Sequence, residues 1–279
     1  MFLNAVILIL QEILEAALMV SVLLVISESL TRSYGAAFVL QRSWVLMALG
    51  LGLGGAWFYA QWMPEISQWF DYVGQEVINS LIHLISLICL ILLVYLPPLS
   101  QAPPNHSAQR LLPPAAMILI VFLAVMREGS EIIIYLLGVG SQQENLASVL
   151  LGASIGGGIG LSCGIILYYA LLIPGKPWTL RACAVLMALI CGNMASQIVM
   201  LLTQANWLPF TPIAWNTSGL IPESSIHGHL LYALVGYEAT PSLLQAASYL
   251  AGIIAVIPSP LTRLAWPGPI RYQKHANQS

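Results

Sequence analysis

The chain has 279 residues, is 58% hydrophobic and 7% charged, and has a mean hydropathy of +0.84 with a formal net charge of −2. A soluble domain carries roughly 25% charged residues, so this composition cannot cover a water-facing surface and points to an all-α integral membrane protein. No basic run or basic amphipathic patch is present, which argues against a nucleic-acid partner.

A spanning helix needs about 20 mostly apolar residues, and seven stretches qualify. The first, 3–27, holds Glu12 and Glu15 and has no basic segment before it, so it reads as a span and not as a cleavable signal. The second, 44–62, contains the glycine-rich stretch 50–60. The third, 77–96, carries His83, which reads as a packed, hydrogen-bonded histidine, and ends at Pro97, Pro98, Pro103 and Pro104. Pro113-Pro114 open the fourth, 114–138, which contains Arg127, Glu128 and Glu131. The fifth, 147–173, has Gly152, Gly156, Gly160 and Gly164 on one face, a stripe of small residues for close helix contact. Pro174-Gly175-Lys176-Pro177 ends it. The sixth is 182–202. Residues 225–242 read as a half-helix lying near the outer surface, before a seventh span at 240–259. Cys89, Cys163, Cys183 and Cys191 lie in apolar segments without a CxxC, as packing residues do.

Basic residues set the orientation. With the N-terminus outside, the inner loops and tail hold Arg32, Arg42, Arg110, Lys176, Arg181, Arg263, Arg271 and Lys274, eight of the nine Lys and Arg. The outer loops hold Glu65, Asp71, Glu76, Glu144 and Glu223 and no basic residue. The reading is N-out, C-in. The stretch 11–20 resembles 127–136, and 50–60 is loosely echoed at 156–170. Three helices per copy is an odd number, so the copies run oppositely through the membrane: repeat 1 at about 1–100, repeat 2 at about 110–205. An outer loop, the half-helix and the last span follow at about 206–260, and then a cytoplasmic tail at 261–279, all in one membrane domain. Inverted repeats with a site near the midplane are a transporter architecture.

Glu12 and Glu15, like Glu128 and Glu131, are three residues apart and share a helix face. Each pair sits about 15–21 Å from its helix ends, close to mid-bilayer. A charge there costs roughly 2.5–3.5 kcal/mol on insertion scales. Arg127 is one counter-charge, and Glu131, four residues on, is its expected intrahelical partner. Four glutamates against one arginine leave a formal −3, which calls for protons or a metal. All-oxygen ligands favour a hard cation. Structural ion pairing and a metal-free proton relay are the alternatives.

At these residues the chain resembles the oxidase-dependent iron permeases of bacteria and fungi, which carry an R-E-G-x-E motif in helices 1 and 4 of a seven-helix fold. Arg127-Glu128-Gly129-Ser130-Glu131 matches in full. Gln11-Glu12-Ile13-Leu14-Glu15 keeps both glutamates but lacks the arginine and the glycine. Trp215 to Gly219, Gly236-Tyr237, Pro241-Ser242 and Gln245 are similar too, with Asn216 where that family usually has aspartate. The resemblance implies ferric iron import through Glu12, Glu15, Glu128 and Glu131, supported by Arg127 and Gln11. It also implies an iron-binding or iron-oxidising protein at the outer face of a plasma membrane, such as a bacterial inner membrane. Iron is then substrate, with no organic cofactor. Another divalent cation, or proton-coupled transport by the same glutamates, is the runner-up.

Weaker candidates are Glu238, placed to line an entry route, and His227 and His229, which point apart on a helix and do not make a shared ligand pair there. Asn216 is a further one, from the resemblance. The absence of HExxH, of a Ser-His-Asp layout and of paired cysteines argues for a transporter and against an enzyme.

Overall fold

The computed structural model describes residues 2–34, 43–95, 107–140 and 146–259. The tail 261–279, the prolines 97, 98, 103 and 104 and Glu144 lie outside the described residues. The described elements are helical: α1 Phe2–Tyr34, α2 Ser43–Ile66, α3 Trp69–Tyr72, α4 Gly74–Tyr95, α5 Ser107–Gly140, α6 Leu146–Leu172, α7 Lys176–Gln204, α8 Ile226–Val235 and α9 Leu243–Val256. The one β-feature among the described residues is an isolated bridge between Ile213 and Ser242.

By length and apolarity, Phe2–Glu28, Gly74–Tyr95, Leu146–Leu172 and Trp178–Gln204 can each cross a membrane. The outward faces of the long helices are apolar: Leu53, Phe58, Leu151, Ile165 and Ile166 are all more than half exposed. Large apolar side chains on this scale mark a lipid-facing surface rather than a wet one. The described residues are those of a helical membrane protein.

Glycine decides which helices meet. A Cβ at Gly156 would run into the Val6 carbonyl, and one at Gly164 would lie 2.6 Å from Ala17 Cβ. The predicted stripe therefore seats α6 on α1, and the Ser21 hydroxyl donates to the Gly164 carbonyl at 2.9 Å. The same device seats α2 on α5, where a Cβ on Gly52 would meet Val125 at 2.7 Å and one on Gly129 would meet Ala56 at 2.9 Å. α4 packs on α7, and α7 also packs on α9. Leu18, Val22, Leu90, Met117, Ile120, Val121, Met187, Ile190 and Met194 form one buried apolar block between these helices.

Two helices, α5 and α9, differ in their bounds from the sequence reading. Pro113 and Pro114 lie inside α5, not at its start. They are the seventh and eighth residues of the helix, past the first turn where proline is best tolerated, and each removes one backbone N–H donor there. The last helix starts at Leu243 and spans 14 residues. Before it, residues 239–242 lie outside any helix: Ala214 N–H donates to the Pro241 carbonyl and Thr217 N–H to that of Ala239, both at 2.8 Å. Proline disfavours helix at the residue before it, and the reciprocal Ser242–Gln245 capping box then starts α9.

The half-helix is α8, capped by the Ser225 hydroxyl and ended by Gly236 in the left-handed region at φ 68°. Its first turn is exposed at Ile226 and His227, and its other side faces α1. Its His229 reaches Gln11, next to Glu12, and its Ala233 and Leu234 border a cavity with Glu15. A Cβ on Gly236 would lie 2.5 Å from Asn193 Oδ1 of α7, so the missing side chain is what lets the segment turn at that depth.

Candidate metal site

α1 and α5 cross with their glutamates facing. Glu12 and Glu128 are each 6% exposed, which in an otherwise apolar interior demands compensation. One carboxylate oxygen from each of Glu12, Glu128 and Glu131 lies within 4.8 Å of the others. Three hard oxygen donors at this spacing can close on a single cation.

Glu15 is held differently. Its Oε1 accepts from Gln11 Nε2 at 3.4 Å, and its Oε2 lies 3.9 Å from Arg127 Nη1. The sequence reading expected all four glutamates around one point. In this structure three converge, and the fourth sits one turn along α1 on the arginine's flank.

Arg127 joins the two groups. Its Nη2 lies 3.0 Å from Glu131 Oε1, the expected i,i+4 pair. Its Nη1 also donates to both oxygens of Glu128, at 2.8 and 2.9 Å, although neighbouring residues leave a helix in different directions. The long stem folds the guanidinium back across that angle, and a fork of five donors serves two carboxylates at once. Arg127 Nε has no partner among the described residues.

The other candidates separate clearly. His229 Nδ1 is 2.9 Å from Gln11 Oε1. Gln11 gives its amide N–H to Glu15, so its oxygen faces the imidazole and His229 donates. A chain His229–Gln11–Glu15 results. His229, Gln11, Glu238, Glu223 and Tyr232 line a cavity of about 350 Å³ on the α8 side of Gln11. Glu238 is turned toward Gln245, whose Nε2 donates to it at 2.8 Å. His227 lies apart, in a separate pocket with Leu220 and Leu230. Asn216 is exposed and accepts from the Ser218 N–H and hydroxyl at 3.0 and 2.6 Å. That is a local turn, away from the glutamates.

A family model described as the Iron permease FTR1 family matches residues 2–260. The chain belongs to this family. Its relatives include proteins named ferrous iron permease EfeU. The one from Escherichia coli O6:H1 (strain CFT073) is 25% identical over 260 residues, covering 89% of this chain and 91% of the relative. Those from Escherichia coli O157:H7 and Shigella sonnei (strain Ss046) are each 25% identical over 259 residues, with the same coverage. No solved structure matches the chain.

Sequence reasoning missed a polar lining around the motif. Tyr59 donates to Asn79 at 2.8 Å, Gln197 donates to Tyr232, and Asn193 and Ser86 border the Glu15 cavity. The usable signal was polarity inside apolar spans, where a polar side chain marks a partner or a pathway.

Proposed function

We propose that this protein imports iron, taken in the ferric state at the outer face, through a midplane site of Glu12, Glu15, Glu128 and Glu131. The observation that carries the reading is the convergence of Glu12 from α1 with Glu128 and Glu131 from α5. Two helices far apart in sequence each supply carboxylates to one point, and family membership supports iron as the cargo. An all-carboxylate set with excess negative charge suits a highly charged hard cation.

The route is asymmetric. The cavity of about 350 Å³ leads from α8 and Glu238 to Gln11. Past Glu15, buried Leu18, Met194 and Ile190 close the way. With the N-terminus outside, the open side is the outer one, Glu238 lines the entry, and the C-terminus is cytoplasmic. Seven spans, α1, α2, α4, α5, α6, α7 and α9, then cross a plasma membrane, such as a bacterial inner membrane, with α8 dipping in from outside. The exchange of packing partners, α1 on α6 and α2 on α5, is what a two-fold relation between α1–α2–α4 and α5–α6–α7 predicts, and it supports the inverted repeat. A cation moving inward gains about 2.3 kcal/mol per charge per 100 mV. An outer iron-oxidising or iron-binding protein is the partner this reading implies.

The relatives named for ferrous iron favour a second reading, in which Fe²⁺ itself enters. Uptake of radioactive iron into proteoliposomes tests both, with ferric and ferrous iron offered separately. The proposal expects saturable uptake, lost in Glu12→Ala and in Glu128→Ala. Ferrous uptake alone favours the second reading. Uptake that survives Glu12→Ala contradicts a site shared by the two halves.

A further inference from the structure

One buried polar group is not used by the site described above. His83 of α4 is 6% exposed, and its Nε2 meets no hydrogen-bond partner among the described residues. Buried polar atoms are almost always partnered, so an orphaned imidazole nitrogen marks the place of an occupant. His83 borders a cavity of about 40 Å³ with Glu15, Arg127, Glu128, Ser86 and Asn193. One water needs about 10–15 Å³ by the same kind of measure, so the space suits one small ion with a water or two.

We propose that this cavity is a second, inner subsite for a first-row transition-metal cation, ligated by His83 Nε2 and the Glu15 carboxylate, with water completing the shell. This rests on the proposed import reading. A carboxylate and an imidazole together suit iron and its neighbours, whereas magnesium and calcium prefer oxygen alone. The outer cluster offers oxygen only. The inner subsite is therefore where nitrogen ligation separates transition metals from those ions.

The geometry also supplies the transfer. Glu15 lies one turn along α1 from Glu12, on the side of the closing apolar block. A cation moving inward exchanges the cluster of Glu12, Glu128 and Glu131 for Glu15 and His83. Arg127 already touches both groups, with Nη1 at 2.8 Å from Glu128 and 3.9 Å from Glu15, and Nη2 at 3.0 Å from Glu131. When the cation leaves the cluster, the guanidinium is in place to neutralise Glu128 and Glu131.

The test uses the full-length chain in lipid nanodiscs with Co²⁺ as the probe. In the double variant Glu12→Gln/Glu131→Gln the outer cluster is disabled and the inner donors remain. One Co²⁺ should stay bound, and adding His83→Gln should release it. Gel filtration and helical circular dichroism check that each variant is folded. In the otherwise native chain, His83→Gln should slow iron uptake about tenfold or more, as loss of a metal-positioning group does. Binding of no Co²⁺ by the folded double variant, or binding that is indifferent to His83, overturns the inner subsite. Wild-type iron uptake lost in Glu12→Gln but untouched by His83→Gln overturns it too, while leaving the import reading standing. Absence of wild-type iron uptake in both oxidation states sinks the import reading itself.

Discussion

The stretches around Glu12 and Glu128 have the same carboxylate spacing and opposite surroundings. On α5, Arg127 binds Glu128 and Glu131 directly. On α1 the corresponding place is Gln11, which has no charge and is braced by His229 from α8. The glycines differ in the same complementary way. Gly129 of α5 admits Ala56 of α2, while Ile13 of α1 fills the space left by Gly157 and Gly160 of α6, with its Cγ2 2.9 Å from where a Cβ on Gly160 would sit. Bulk has moved from one helix to its neighbour without opening the interface. The first motif is thus less degenerate in space than in sequence. One half carries the counter-charge for both, and the other is held by a hydrogen-bond chain that begins outside the repeat.

Breaking the charged half should have the largest effect. Arg127→Met strands three carboxylates in a buried site. It should cost about 3–5 kcal/mol, as for other buried pairs broken on one side, and abolish uptake; thermal unfolding in detergent and an uptake assay read the two effects. If stability is unchanged, Arg127 is not the common counter-charge. Next comes the interface that sets the crossing. Gly156→Val pushes into the Val6 backbone, and overpacking of this kind costs about 1–3 kcal/mol, seen as a lower unfolding temperature.

The hydrogen-bonded half should respond more gently. His229→Ala removes one link, worth about 1 kcal/mol, and should weaken iron affinity about fivefold while leaving uptake measurable. Gln11→Arg sharpens the comparison from the other side. It brings the formal charge of the site from −3 to −2, since one more arginine faces the four glutamates. The pH dependence of uptake should change, and an identical pH profile would contradict the idea that the missing charge matters. The smallest effect is expected at Asn216→Asp. A carboxylate oxygen accepts the same Ser218 donors, so uptake and stability should stay within experimental error.

Much of this was legible in one dimension. The glutamate pairs and the glycine stripe follow from helical period alone, because residues three and four apart share a face. Contacts that depend on side-chain reach were not. Arg127 bonding its own neighbour Glu128 needs the fold-back of a long side chain, which helix angles do not encode. The depth of α8 was hidden for a related reason. Residues 226–235 look like any short apolar helix, and only the fit of Gly236 against Asn193 brings His229 to Gln11. His83 read as a packed histidine, since a sequence does not reveal that its Nε2 faces a cavity bordered by Glu15.

The central claim is that Glu12 of α1 and Glu131 of α5 act on one ion. A double-mutant cycle on iron affinity tests it most directly, with Glu12→Gln, Glu131→Gln and the pair measured in the purified protein. Residues acting on the same ion are coupled, by about 0.5–3 kcal/mol, whereas independent sites add to within about 0.5 kcal/mol. The account predicts clear coupling, with the second substitution costing far less once the first is made. Additive losses would mean that the two helices hold separate ions and that the convergence of their carboxylates is not a shared site.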